Sequence, residues 1–138
     1  MRKVFIRLTS FLLLLSLLGN LLATVSASEI VPRYTNVNCC IAEIRVPSSS
    51  GSSVCFASLV AKEATTSLRL SVALQRYVNG TWVTVASWVV SGTGHATISD
   101  KYTLARGYTY RLRACGYLFS TNGTIVESAE AIYEYIYN

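Results

Sequence analysis

Apolar and polar side chains alternate along most of this chain, in segments of about ten residues that each end in turn-forming residues. Alternation with a period of two places the two sets of side chains on opposite faces of a β-strand. The pattern predicts seven strands, at 37–46, 54–62, 67–78, 81–90, 95–104, 107–119 and 124–136. Regularly spaced short strands are typical of antiparallel sandwiches and barrels. We therefore expect an all-β fold, a seven-stranded antiparallel β-sandwich.

Two of the predicted strands carry further information. The third alternates most plainly, with apolar Leu68, Leu70, Val72 and Leu74 separated by polar or small residues. One of its faces should be buried and the other solvated. In the fourth, Trp82, Val85 and Trp88 recur at every third position, and a flat strand cannot place all three on one face. A β-bulge or a strong twist would reconcile this spacing.

Turn-forming residues separate the strands. Asn79-Gly80 and Asn122-Gly123 each lie between two alternating segments, and Asn-Gly favours a type I′ hairpin turn because both residues tolerate a positive φ. Serine and glycine dominate two further connections, at 48–53 and 91–94.

The segment from Leu104 to Leu112 resembles a corner of known sandwiches. Leu104 is followed by glycine at 107, tyrosine at 110 and leucine at 112, as in the corner before the sixth strand of immunoglobulin-like and fibronectin type III-like domains. The resemblance implies that the Tyr110 hydroxyl bonds back to the backbone and that Leu104, Leu112 and Ala114 point into the core. Arg106 stands where the family has proline.

The region from about 33 to 137 is also similar to small secreted proteins of uncharacterised function from Gram-positive bacteria. The similar segments are Leu74-Gln75, Gly80 to Trp88, Ser91 to Gly94 and Tyr108 to Arg113. The resemblance implies a fold, an extracellular location and a bacterial source, and it implies no activity.

The first 27 residues have the pattern of a secretory signal peptide. Arg2, Lys3 and Arg7 precede an apolar core from Phe11 to Leu22, and Val25-Ser26-Ala27 supplies small residues for cleavage. The apolar stretch is shorter than the roughly 20 residues that a membrane-spanning helix needs. We expect a signal peptide helix at 1–27, a lead-in segment at 28–35 and a β-sandwich domain at 36–138, secreted and not membrane-spanning in its mature form.

Removal of the leader changes the charge of the chain. The whole sequence has 12 basic and seven acidic side chains, but three of the basic ones lie in the leader. The mature domain is therefore nearly neutral, and it lacks the concentrated basic surface by which nucleic-acid-binding proteins are recognised. We expect no nucleic-acid partner.

Four cysteines lie in the mature part: Cys39, Cys40, Cys55 and Cys115. An even number in an exported chain favours disulfides. Zinc sites instead pair cysteines two to four residues apart, and we expect no metal. A bond between the neighbours Cys39 and Cys40 would be strained, so we expect one of them to pair with Cys115, which the alternating strand directions place toward the same end.

The residues predict no catalytic site and no cofactor. His95 and Asp100 are the only histidine and the only aspartate, and a nucleophilic triad needs both a base and an orienting acid. Glu130 and Glu134 would share a strand face about 13 Å apart, wider than the separation that glycoside hydrolysis requires. Charges that protect an edge strand explain them better.

Candidate binding residues lie on the last two strands. Tyr133, Tyr135 and Tyr137 alternate on one face, where they would form either an aromatic binding platform or part of the core. Arg111 and Arg113 flank the outer face of the sixth strand and could bind an acidic partner. Trp82, Trp88, Leu104, Gly107 and Tyr110 are expected to be structural.

The sequence therefore favours a secreted, non-catalytic binding or interaction module at or outside the cell surface, with an unknown protein or a cell-surface glycan as its partner. The alternative hypothesis is a small secreted inhibitor or toxin-like effector, which the small size and the cysteines suggest.

Overall fold

Seven β-strands hold about three quarters of the residues that the structure describes. The computed structural model describes residues 34–47 and 52–138. The strands are β1 (Val37–Arg45), β2 (Ser53–Ala61), β3 (Ser67–Val78), β4 (Thr81–Thr93), β5 (His95–Tyr102), β6 (Tyr108–Phe119) and β7 (Ile125–Tyr137). All seven predicted strands are confirmed. The predicted leader, most of the lead-in and much of the 48–53 loop lie outside the described residues.

The strands form two antiparallel sheets arranged as a sandwich. One sheet has three strands in the order β1-β2-β5, and the other has four in the order β4-β3-β6-β7. The all-β, antiparallel sandwich is thus confirmed. In the part of the chain that the structure describes, no helix is long and apolar enough to cross a membrane.

The core lies between the two sheets and follows the alternation along the strands. Leu68, Leu70, Val72 and Leu74 of β3 are all buried, as predicted. Buried residues of β2 face them across the sandwich. Each large aliphatic side chain removed from water contributes about 1.5–3 kcal/mol, so these inward rows supply much of the stability.

A β-bulge interrupts β4, as the spacing of its large side chains predicts. Leu74 of β3 pairs with Ala86 and Gln75 with Thr84, so Val85 is the extra residue. The bulge does not bring the two tryptophans onto one face, however. Trp88 packs against the core, whereas Trp82 pairs with the exposed Tyr77 and faces outward. The inserted residue reverses the parity of the strand, and the expectation of a shared face is wrong for Trp82.

The two Asn-Gly turns differ. At the first, Asn79 and Gly80 have φ values of 49° and 83°, the positive pair that a type I′ turn requires. At the second, only Gly123 has a positive φ. Asn122 instead uses its side chain, whose Oδ1 accepts hydrogen bonds from Ser120 Oγ and from the backbone N–H of Thr124. This side-chain bonding replaces the predicted type I′ geometry.

The corner before β6 is closed by a tyrosine. The hydroxyl of buried Tyr110 accepts a hydrogen bond from the Ala105 backbone N–H at 2.9 Å and lies 3.4 Å from the Ala105 carbonyl oxygen. Gly107 adopts a φ of 82°, and Leu104 and Leu112 are buried. Each of these structural assignments from the sequence is confirmed.

All four cysteines are free thiols, so the predicted disulfide is absent. Cys40 pairs with the buried Leu59 and faces inward, whereas Cys39 pairs with Val60 and faces outward. Cys115 lies on the outer side of the four-stranded sheet, because the residues beside it, Ala114 and Gly116, are buried. Cys55 is buried on the same inner face as Cys40, toward the other end of β2, whereas Cys39 and Cys115 lie on the outward faces of different sheets.

Candidate functional site

The three tyrosines of β7 lie on the inner side of the sheet. Their partners on β6 are Tyr108, Tyr110 and Leu112. Tyr135 and Tyr137 pack against the core, with ring centroids 6.1 Å apart. Tyr133 is 36% exposed at the rim. The row therefore contributes mainly to packing.

The outward side of the four-stranded sheet, which we call the outer face, carries the two candidate arginines. Arg111 and Arg113 lie on β6 between buried residues and point away from the core. Neighbouring strands add more cationic and aromatic side chains to this face, and these fall into two groups, one toward each end of the sheet.

The first group is centred on Trp82, and we call it the Trp82 cluster: Trp82, Tyr77, Arg111, Gln75 and Thr84. The rings of Tyr77 and Trp82 lie 5.0 Å apart and tilted by 56°. The Arg111 guanidinium carbon lies 4.4 Å from the centre of the Trp82 ring. An arginine at this distance is attracted by the ring quadrupole. Tyr77 remains 45% exposed, so aromatic surface is open to solvent beside a cation.

A row of hydrogen bonds holds the cluster in position. Arg111 Nε donates to Gln75 Oε1 at 2.6 Å, and Gln75 Nε2 donates to Thr84 Oγ1 at 3.2 Å. These three residues lie opposite one another on β6, β3 and β4. Within the described residues the Nη groups of Arg111 make no hydrogen bond, so its outer donors remain available to a ligand.

The second group surrounds a shallow cavity of about 300 Å³ near the start of β7. Arg113 forms an ion pair with Glu130, and Cys115 Sγ lies 3.9 Å from the same carboxylate. Burial and the Glu130 carboxylate raise the pKa of the Cys115 thiol, although Arg113 opposes them. A thiol held protonated in this way is a weak nucleophile.

His95 and Asp100 do not meet. They lie on β5, opposite Val60 and Cys55 respectively, and so on different faces about 16 Å apart along the strand. Glu130 and Glu134 share the outer face, as predicted. Among the residues that the structure describes, no three metal-binding side chains cluster.

The Trp82 cluster was not predicted from the sequence. Tyr77 and Trp82 flank a two-residue hairpin turn and must therefore be cross-strand neighbours, which was a usable signal. The bulge at Val85 concealed which face they occupy. Comparison of the chain with protein-family models, with curated proteins and with solved structures gave no match.

Proposed function

We propose that this chain is secreted and that its mature domain is a non-catalytic module that binds a cell-surface glycan on the outer face. The sequence of the leader motivates the extracellular location. The Trp82 cluster is the observation that carries the proposed activity.

We also propose that the sandwich is immunoglobulin-like or fibronectin type III-like. Immunoglobulin constant-type domains place the first, second, fourth and fifth strands in one sheet and the others in the second sheet. The present strand order shares this division for six strands and differs in pairing β4 with β3. The hydrogen bond between Tyr110 and Ala105 further supports the assignment, since the same corner bond occurs in that family.

The chemistry of the Trp82 cluster suits a sugar. An exposed aromatic ring packs against the C–H groups of a pyranose, and tyrosine and tryptophan combine such apolar surface with a polar group. The free Nη donors of Arg111 lie at the edge of this surface, where they can bond hydroxyl or carboxylate oxygens. The bonds from Arg111 to Gln75 and from Gln75 to Thr84 fix the cluster before a ligand arrives, which lowers the entropic cost of binding.

Affinity electrophoresis in gels that contain cell-wall polysaccharides tests the proposal. The protein should be retarded by at least one of them, and Trp82→Ala should abolish the retardation because it removes the central ring. Tyr117→Ala is the matched control, since it removes an aromatic ring from the other end of the same face and should leave binding intact.

Two results would contradict the proposal. The first is that no polysaccharide retards the wild-type protein. The second is equal retardation of the wild type and of a folded Trp82→Ala variant, which would place glycan binding elsewhere.

A further inference from the structure

One edge strand lacks the protection that the others have. Each sheet has two edges, formed by β1 and β5 in one and by β4 and β7 in the other. Exposed edges invite pairing with another chain, and charged residues or proline usually prevent it. Three of these described edges carry charges, namely Glu43 and Arg45 of β1, Asp100 and Lys101 of β5, and Glu127, Glu130 and Glu134 of β7. β4 has thirteen residues with no charge and no proline.

The bulge divides β4 into two parts. Bulges are themselves a device that disrupts edge pairing, so the bulge at Val85 protects the first part of the strand. From Ala86 to Thr93 the strand pairs with β3 in unbroken register and its other side is open. Val89 lies at the centre of this open segment and is 64% exposed.

We propose that Ala86–Thr93 pairs antiparallel with the same segment of a second copy of this chain, around a two-fold axis near Val89. On the outer face, such an axis places Val89 opposite its own copy and Ser87 opposite Ser91. The exposed valine would be covered by an identical valine, and hydroxyls would face hydroxyls. Matched cross-strand pairs of this kind stabilise sheets.

The inner face of the same segment is also self-complementary in size. The axis places the large Trp88 opposite the smaller Val90, and Ala86 opposite Gly92. No charge meets a like charge anywhere along the segment. A two-fold pairing closes after two copies, because each molecule uses its own β4 edge.

The dimer would join two four-stranded sheets edge to edge into one continuous sheet. Both Trp82 clusters would then lie on the same outer face. Two linked sites bind a repeating ligand more tightly than one site does. The pairing itself does not depend on the proposed glycan binding, and sedimentation measures it without a ligand.

Sedimentation equilibrium of the purified protein tests the pairing, with Val89→Lys as the disrupting variant. Two lysines near the axis should repel each other and raise the dimer dissociation constant at least about tenfold. Ile136→Lys is the matched control, because Ile136 is also 64% exposed and lies on β7, the opposite edge strand. It should leave the dimer intact. Mixing Val89→Lys with Val89→Glu should restore a heterodimer.

Amide hydrogen exchange of the wild-type protein gives a second test, which does not depend on whether the variants fold. Amide hydrogen exchange within Ala86–Thr93 should slow as the protein concentration rises. A wild type that stays monomeric at high micromolar concentration would overturn the proposal. Dissociation caused by Ile136→Lys and not by Val89→Lys would overturn it as well, because pairing would then use β7.

Discussion

At the residue scale, Gly116 allows the two sheets to approach closely. It is buried on the inner side of β6, and a Cβ atom built there would lie 2.6 Å from Leu59 Cδ1 of the facing sheet. Leu59 is fully buried, so its side chain cannot swing out into solvent. Close packing of this kind transmits any added volume to its neighbours.

Gly116→Ala should therefore lower the free energy of unfolding by about 1–3 kcal/mol, as overpacking does. Urea denaturation of the single variants and of Gly116→Ala with Leu59→Val measures the effect. The shorter valine should relieve the clash, so the double variant should be more stable than the sum of the single changes predicts. Simple additivity would show that the two side chains do not compete.

Tyr110→Phe removes the hydroxyl that bonds to the Ala105 backbone. The unfolding free energy should fall by about 1 kcal/mol, the net contribution of a typical hydrogen bond. Tyr108→Phe serves as the control, because Tyr108 lies on the same strand and is exposed. Equal denaturation midpoints for both variants would mean that the corner bond contributes nothing.

The buried thiols should make the folded chain less stable at alkaline pH. Burial raises the pKa of Cys40 and of Cys55 from 9.0 to about 11, with smaller contributions from nearby acidic groups and thiols. Between these values the unfolded chain loses protons that the folded chain keeps, so the contribution of these thiols to stability should be constant below pH 9 and fall from pH 9 to about 11. Denaturation midpoints across this range measure the fall, and Cys55→Ala should reduce it. A midpoint that rises there would contradict the assignment.

At the element scale, the bounds of the strands could be predicted from the sequence far better than which side chains of each strand point toward the core. The alternation of β3 depends on local chemistry alone, and its bounds agree with the prediction at both ends. The Trp82 cluster depends on a single inserted residue, Val85, whose effect appears only when β3 and β4 are paired. The predicted disulfide fails for a related reason: the strand directions place Cys40 and Cys115 toward one end of the sandwich, but Cys40 faces the core and Cys115 faces the outer side of the four-stranded sheet.

The residues before β1 form hydrogen bonds with side chains from β7 and from just after the end of β2. Glu127 of β7 accepts hydrogen bonds from the backbone N–H groups of Thr35 and Asn36, at 2.7 and 2.6 Å. Lys62, just after β2, donates to the carbonyl oxygens of Tyr34 and Thr35, at 3.1 and 2.5 Å. The Glu127 bonds join the start of an edge strand of one sheet to an edge strand of the other, whereas the Lys62 bonds stay within one sheet.

Glu127→Ala should lower the unfolding free energy by about 1 kcal/mol, because two charge-assisted bonds at a solvated site are lost. Amide exchange at Asn36 should also become faster. Glu134→Ala is the matched control on the same strand, and it should change neither quantity. An unaltered exchange rate in Glu127→Ala would show that β1 is held by its pairing with β2 alone.

At the scale of the whole molecule, the two sides of the four-stranded sheet carry different kinds of side chain. Its inner side completes the core, and its outer face collects arginines and aromatic rings that the core does not need. The three-stranded sheet covers the core from the other side. This division predicts that binding and stability can be altered independently, since the side chains of the Trp82 cluster project away from the buried rows.

Glycan binding at the Trp82 cluster can be located by NMR, from chemical-shift changes during titration with an oligosaccharide of the polysaccharide that retards the protein. The largest changes should occur at the Trp82 indole N–H, the Arg111 side chain and the backbone around Tyr77. Trp88, which packs against the core, provides an internal reference and should change little. Changes confined to the three-stranded sheet, or to the rim around Tyr133, would show that the glycan does not bind at the Trp82 cluster.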